Sequence, residues 1–208
     1  DMPGIGDIDY LTSTSIIALD TLPRHLVVIG GSYIGLEFAQ MYRRFGAEVT
    51  VVERGPKLAS REDDDIPDAI ADILRAEGIA IHTGADRIAF KNGVDGIEVA
   101  VADGIAEITA SHVIIATGRV PNTDDLGLDR AGVATDKRGY ITVDDKLATN
   151  VDGIWALGDC NGHGAFTHTS YNDFEIAAAN LLDGEDRKLS ARIIASQLYI
   201  DPPLGSGG

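Results

Sequence analysis

The stretch HLVVIGGSYIGLEFAQMYRRFGAEVTVVE, residues 25–53, decides how this chain folds. His25-Leu-Val-Val-Ile29 is a continuous apolar run of strand type, the pattern of a strand buried on both faces. After Gly30 to Gly35, the residues Ile34, Phe38, Met41, Tyr42 and Phe45 recur at helical spacing until Gly46 stops the pattern. Ala47 to Glu53 then reads as a second strand. Strand, glycine turn, helix and strand make a βαβ unit, whose strands are parallel and whose crossover is right-handed.

The spacing Gly30-x-Ser32-x-x-Gly35 falls where a buried strand ends and a helix opens. Gly30 permits a tight turn and Gly35 lets helix and strand pack closely. The free N–H groups of the turn and the helix dipole together offer an anion site suited to a dinucleotide pyrophosphate. The binding candidates here are Gly30, Gly31, Ser32, Tyr33, Ile34 and Gly35. Ser32 departs from the usual pattern, which has glycine at the middle position so that the backbone can approach the phosphates.

Glu53 lies 18 residues beyond Gly35, close to the offset of about 20 expected for an acid that accepts from the adenosine ribose. That favours NAD(H) over NADP(H), because a 2′-phosphate carrying about −1.5 to −2 charges would meet the carboxylate. Arg54, Lys57 and Arg61 pull the other way, since a basic neighbour could hold that phosphate instead. The plainer alternative is a structural glycine turn with Glu53 as an ordinary strand-end charge.

Outward from this unit, an acidic run at Glu62 to Asp65 leads into a helix through Ala76, and Ile79 to Thr83 is a short strand. Arg87 to Ala110 switches to two-residue periodicity with turns at Asn92-Gly93 and Asp103-Gly104, an antiparallel meander. His112 to Ala116 returns to a buried strand and runs into Thr117-Gly118-Arg119. On the other side, Thr12 to Leu19 suits a short helix. Past Gly118, the expected elements are strands at Tyr140 to Val143 and Gly153 to Leu157, a helix starting near Thr167 to Ser170 and running to Leu182, and a partnerless strand at Ala191 to Ser196. The fold class is α/β.

The 208 residues include 24 glycines, and 44% of residues are apolar, enough for a packed core. Seventeen basic against 33 acidic side chains leave a formal charge of −16, the wrong sign for nucleic acid or an anionic membrane. The most apolar uncharged run, Leu26 to Leu36, is far short of the about 20 residues a membrane helix needs, and the expected location is the cytoplasm. A single cysteine, Cys160, builds neither an internal disulfide nor a Cys-based metal site, and it reads as a buried structural thiol. His163 and His168 lack a third ligand at useful spacing, so no metal site is expected. The pairs Asp124-Asp125 and Asp144-Asp145 read as solvated loop charges. The first residue is Asp1, and Gly205-Ser206-Gly207-Gly208 resembles a linker, so a fragment is expected.

Four stretches in order, VVIGGSYIGLEFA (Val27 to Ala39), ATGRVPN (Ala116 to Asn122), TNVDGIWALGD (Thr149 to Asp159) and FTHTSYNDF (Phe166 to Phe174), resemble the class I pyridine nucleotide-disulfide oxidoreductases. That family includes dihydrolipoamide dehydrogenase, glutathione reductase and mercuric reductase, and the wording of the last stretch with RAEGI at Arg75 to Ile79 leans towards the mercuric reductase-like branch.

The resemblance implies a Rossmann-like NAD(P)H-binding domain at 1–117, the C-terminal half of an FAD-binding domain at 118–190, and the start of a dimerisation domain with a linker-like tail at 191–208. The first FAD fingerprint and the CxxxxC redox pair of the family are not in this sequence, nor are the His and Glu of its C-terminal domain. The chain would be the middle of an enzyme that passes hydride from NAD(P)H to FAD and is a homodimer when full-length. This fragment alone would be inactive, with no catalytic residue of its own.

By the same resemblance Glu37 lies near the nicotinamide and the flavin N5 region, its plain alternative being a carboxylate favoured by the helix dipole. Relatives using NADPH commonly carry an Arg where Glu53 stands and another where Ala59 stands, which again favours NADH, while mercuric reductases use NADPH without that pair. Gly118, Gly158 and Asp159 would hold the flavin, Asp159 through the ribityl chain or adjoining phosphate. The helix opening at Phe166, Thr167 and His168 would point its positive end at the flavin N1 and C2 carbonyl. Two other readings stand beside this one. A stand-alone nucleotide-binding module without catalysis fits the missing cysteine pair, and a simple Rossmann dehydrogenase would need a substrate base that no Lys, Tyr or His cluster supplies.

Overall fold

The computed structural model describes residues 2–101 and 106–207. Strands β1 (His25–Ile29), β2 (Glu48–Val52), β3 (Ala80–His82) and β7 (His112–Ile115) form a parallel sheet in the order β3-β2-β1-β7. Between them run helices α1 (Tyr33–Phe45) and α2 (Ile66–Ala76) and a meander of β4 (Ile88–Asn92), β5 (Ile97–Val101) and β6 (Ala106–Ala110), antiparallel throughout. The expected Asp103-Gly104 turn lies outside the described residues, whereas at the other turn the N–H of Gly93 donates to the Gly96 carbonyl at 2.8 Å.

The apolar run of β1 is explained by what covers each face. Leu26 and Val28 pack with Leu36, Ala39 and Tyr42 of α1 and Ile70, Ala71 and Leu74 of α2. Val27 and Ile29, pointing the opposite way, pack with Phe90, Val99 and Val101 of the meander. The parallel sheet is thus the middle of three layers, and neither side of β1 can be polar.

The buried side of α1 is Gly35, Leu36, Ala39, Gln40 and Tyr42, while Met41 and Phe45 of the sequence-level apolar repeat stay exposed. Gly35 sets this rotation: a Cβ there would lie 2.1 Å from the Gly30 carbonyl oxygen. The expected helix at 12–19 is only a 3-10 turn, Ser15–Ala18, whose Ile16 is buried and accepts at its carbonyl from the Tyr42 hydroxyl at 3.1 Å.

The chain divides into two units, Asp1–Gly118 with Leu198–Leu204, and Arg119–Gln197 with Gly205–Gly208. The segment 191–208 is therefore not set apart as one body. Nor is its strand an orphan: β8 (Ala195–Leu198) pairs with β9 (Leu204–Gly207), so most of the glycine-rich tail is strand.

The second unit holds a short helix α3 (Leu128–Ala131) and the long α4 (Thr167–Leu182). The strands expected at 140–143 and 153–157 are absent, reduced to the single bridges Thr135 with Ile141 and Ala148 with Trp155. Isolated backbone bonds such as Thr142 N–H to the Ala134 carbonyl flank these bridges, and side chains brace the turns beside them. Asp136 Oδ1 accepts from the N–H groups of Arg138 and Tyr140, and Asp144 Oδ1 accepts from those of Lys146 and Ala148.

Asp144 and Asp145 are consequently not idle loop charges. Asp145 also accepts from the Ser190 hydroxyl and N–H at 2.7 and 2.8 Å, and these bonds hold its carboxyl below the usual carboxylate range. Among the described residues, no helix is long and apolar enough to cross a membrane.

Candidate functional site

The first turn sits at the carboxyl end of β1, where the chain goes to β2 on one side and later returns to β7 on the other. In open α/β sheets ligands bind at such a point. Gly30 adopts φ +117°, and a Cβ on it would lie 2.5 Å from the Ala116 carbonyl oxygen beyond β7. A Cβ on Gly31 would meet Leu58 at 2.5 Å and the Glu53 Cβ at 2.9 Å. Backbone thus crowds Gly30 and Gly35, and the Leu58 and Glu53 side chains crowd Gly31, so no side chain larger than hydrogen fits at any of the three.

Ser32 is the N-cap of α1 in extended conformation, exposed, and its hydroxyl makes no capping bond to the helix. The amides that open the helix are left for another acceptor. Tyr33, half-buried behind Ser32, donates its hydroxyl to Glu62. Ile34 is likewise half-buried.

Glu53, just past β2, reaches back over the turn. Its Oε2 accepts from the Gly31 N–H and its Oε1 from the Gly55 N–H, each at 2.6 Å. A carboxylate accepts about four hydrogen bonds, so two sites remain for ribose hydroxyls. Arg54 beside it is exposed. Ala59 is buried with φ +41° and donates its N–H to the Gly31 carbonyl at 2.7 Å, so this position closes the wall of the turn and carries no cation.

Glu37, fifth residue of α1, accepts at Oε1 from the Tyr199 N–H at 2.9 Å. Sequence reasoning missed this partner, 162 positions away, and also missed Gln40, whose side chain accepts from the Asp201 N–H at 2.7 Å and donates to the Asp201 carbonyl at 3.0 Å. A buried glutamine among apolar helix positions was the available signal.

In the second unit, Gly158 takes φ +78° and opens a 3-10 turn, Gly158–Asn161, that also carries Asp159. Asp159 pairs with Arg119 at 3.0 Å, both about half exposed, while Gly118 lies exposed in the first unit. The N–H of Gly158 donates to Asp173 Oδ2 at 2.8 Å, and Asn161 Nδ2 donates to the same oxygen at 2.8 Å. Asp173 is 2% exposed and forms an ion pair with Arg192, which also donates from Nε to Asn172 Oδ1 at 2.8 Å. Asp173 and Arg192 were not singled out from the sequence. The signal was present, for Asp173, Ile176 and Ala177 fall at i, i+3, i+4, which puts the aspartate on the apolar side of α4.

Phe166 is the N-cap of α4, and its ring stacks on His168 with centroids 5.2 Å apart. The Thr169 hydroxyl accepts from the Phe166 N–H and donates to its carbonyl, while Thr167 is exposed. His168 Nε2 lies 2.8 Å from the Ala195 carbonyl oxygen. Cys160 is half-buried, and burial pushes its thiol above the ordinary value, away from a thiolate at neutral pH. Among the described residues no three His, Cys, Asp or Glu side chains are arranged to hold a metal ion.

A family profile described as pyridine nucleotide-disulphide oxidoreductase matches residues 1–177. The chain belongs to this family. Its members are FAD-dependent oxidoreductases that use pyridine nucleotides. The chain is 40% identical to a mercuric reductase of Streptomyces lividans over 207 residues, 99% of this chain and 44% of that protein. It is 38% identical to the probable pyridine nucleotide-disulfide oxidoreductase RclA of Escherichia coli, over 99% of this chain and 45% of that protein. The structure of RclA, a HOCl-induced flavoprotein disulfide reductase, superposes with a TM-score of 0.91 at 37% identity, covering 100% of this chain and 48% of that one. The structure of LpdA from Mycobacterium tuberculosis matches at 0.84 and 31% identity, over 95% and 43% respectively. The chain thus spans less than half the length of these relatives. The mercuric reductase-like wording seen in the sequence agrees with these names.

Proposed function

We propose that this chain is the nicotinamide-dinucleotide-binding portion of an FAD-dependent disulfide oxidoreductase, with NADH preferred over NADPH. When bound, the cofactors supply the redox chemistry, hydride moving from nicotinamide to flavin, and the chain supplies position. The observation that carries the reading is the open turn at Gly30 to Gly35, where glycine-only crowding leaves the first amides of α1 uncapped and Glu53 stands fixed on the Gly31 N–H. These residues fit a dinucleotide: the α1 amides take the pyrophosphate and the free lone pairs of Glu53 take the ribose hydroxyls. Glu37 would stand on the nicotinamide side.

The preference for NADH follows from charge. The fixed Glu53 carboxylate would face a 2′-phosphate at close range, and Ala59 offers nothing to offset it. In the second unit Gly158, Asp159 and the Phe166-Thr167-His168 helix opening supply one side of a flavin site. The rest of that site, the redox cysteines and the dimer contacts belong to the other parts of the intact homodimer, which we place in the cytoplasm.

Calorimetric titration of the chain with NADH and with NADPH tests this. NADH binding at least tenfold tighter, about 1.4 kcal/mol, is the expected result. Tighter NADPH binding would hand the role of Glu53 to Arg54 and its basic neighbours, and binding of neither would leave the turn purely structural.

A further inference from the structure

Residues 198–204 return to the first unit after 79 residues that belong to the other one, and they dock on α1. Leu198 and Ile200 are buried in the same core as Leu36 and Ala39. Gln40, itself 4% exposed, grips the Asp201 backbone through both its N–H and its carbonyl, and Arg44 pairs with the Asp201 carboxylate at 2.9 Å. Where this strap passes Glu37, the Tyr199 N–H donates to its carboxylate.

The placement of Glu37 gives that bond a consequence. Helical side chains lean towards the N-terminus and cover the preceding turn, so a residue at the fifth position of α1 overhangs the first amides of the helix. Those amides carry no side-chain cap, and the helix dipole draws a carboxylate towards them. A released Glu37 would compete for the donors that a pyrophosphate needs and would repel the incoming anion, with Glu53 already one negative charge beside the turn.

Resting on the dinucleotide reading above, we propose that residues 198–204 are a positioning strap that parks the Glu37 carboxylate on the Tyr199 N–H and so keeps the helix amides free for the pyrophosphate. Gln40 is the residue that holds the strap in place.

The test is a double-mutant cycle on the full chain, titrated with NADH and with ADP-ribose, which carries the pyrophosphate without the nicotinamide. Gln40→Met should weaken both ligands about two- to fivefold, the size of a charge acting on a helix terminus, and the loss should shrink at high salt. In a Glu37→Gln background the same substitution should cost nothing, because there is no charge left to park. Tyr199→Pro removes the donor itself and should reproduce the loss even if Gln40→Met impairs folding. Equal losses with and without Glu37 would overturn the proposal and leave the strap a packing element. A loss confined to NADH would overturn it as well, moving the action of Glu37 to the nicotinamide end. Failure of the unaltered chain to bind either ligand would overturn the dinucleotide reading itself, and the strap's role with it.

Discussion

The two glycine turns, at Gly30 and at Gly158, are held by opposite means. At the first, apolar strands on both faces and a glycine-only close approach shape the backbone, and polar groups are left over: the opening amides of α1 lack a side-chain cap. At the second, Gly158 sits over a buried polar network in which Asp173 takes its N–H, the Asn161 amide and the Arg192 guanidinium. At the turn shaped by packing the Gly30 and Gly31 N–H groups are taken by Val52 and Glu53, and the donors left for a ligand are the opening amides of α1. A turn shaped by hydrogen bonds spends them internally, and its outward-facing group is a side chain, Asp159.

The sharpest way to break this contrast is to remove the buried carboxylate. Asp173→Ala strands Arg192 in a site where the pair is only 7% and 2% exposed, and should cost about 3–5 kcal/mol in urea unfolding. Asp173→Leu combined with Arg192→Met should recover only the share due to the unpaired charge, because the Gly158 N–H and the Asn161 amide still lose their acceptor. A cost under about 1 kcal/mol for the single change would mean that the second turn is held by packing after all.

The first turn is probed by volume instead of charge. Gly35→Ala pushes a methyl group into the Gly30 carbonyl and should cost about 1–3 kcal/mol of stability, with NADH affinity falling at least about tenfold as the helix start moves off the strand. Unaltered affinity would show that the close approach is not what exposes the amides.

The smallest effect is expected at the rim of α1. There Arg44 hydrogen-bonds Glu77 and holds its carboxyl below the ordinary range. A carboxyl lowered in the folded state stabilises above its unfolded pKa, about 4.3, and that stability is lost as pH falls through the folded value. Arg44→Met should therefore make acid unfolding between about pH 5 and 3 less steep, followed by circular dichroism.

How much of this was legible follows from where the signals live. The βαβ unit could be read from residues 25–53 because strands covered on both faces must be apolar along their whole length, and because glycine marks the turn whatever lies elsewhere. The apolar stretches at 140–143 and 153–157 carry the same local signal. Their backbone amides go to Asp136 at Tyr140 and otherwise to isolated carbonyls such as those of Cys160, Ala134, Val151 and Leu147, and strand character depends on a neighbouring strand that local sequence does not reveal. Of the candidate site, the glycines and Glu53 announced themselves through spacing. Gln40 with Asp201, Glu37 with Tyr199, and Asp173 with Arg192 did not, because each joins residues 19 to 162 positions apart.

The strap also bears on how the chain is made. Leu198 and Ile200 are fully or almost fully buried in the core that β1 and α1 begin, so the first unit stays unfinished until its last piece has been synthesised. At about 5–20 residues per second, the 80 positions from Gly118 to Leu198 take about 4–16 s to emerge from the ribosome. Throughout that interval the apolar flank of α1 awaits two side chains that have yet to be translated.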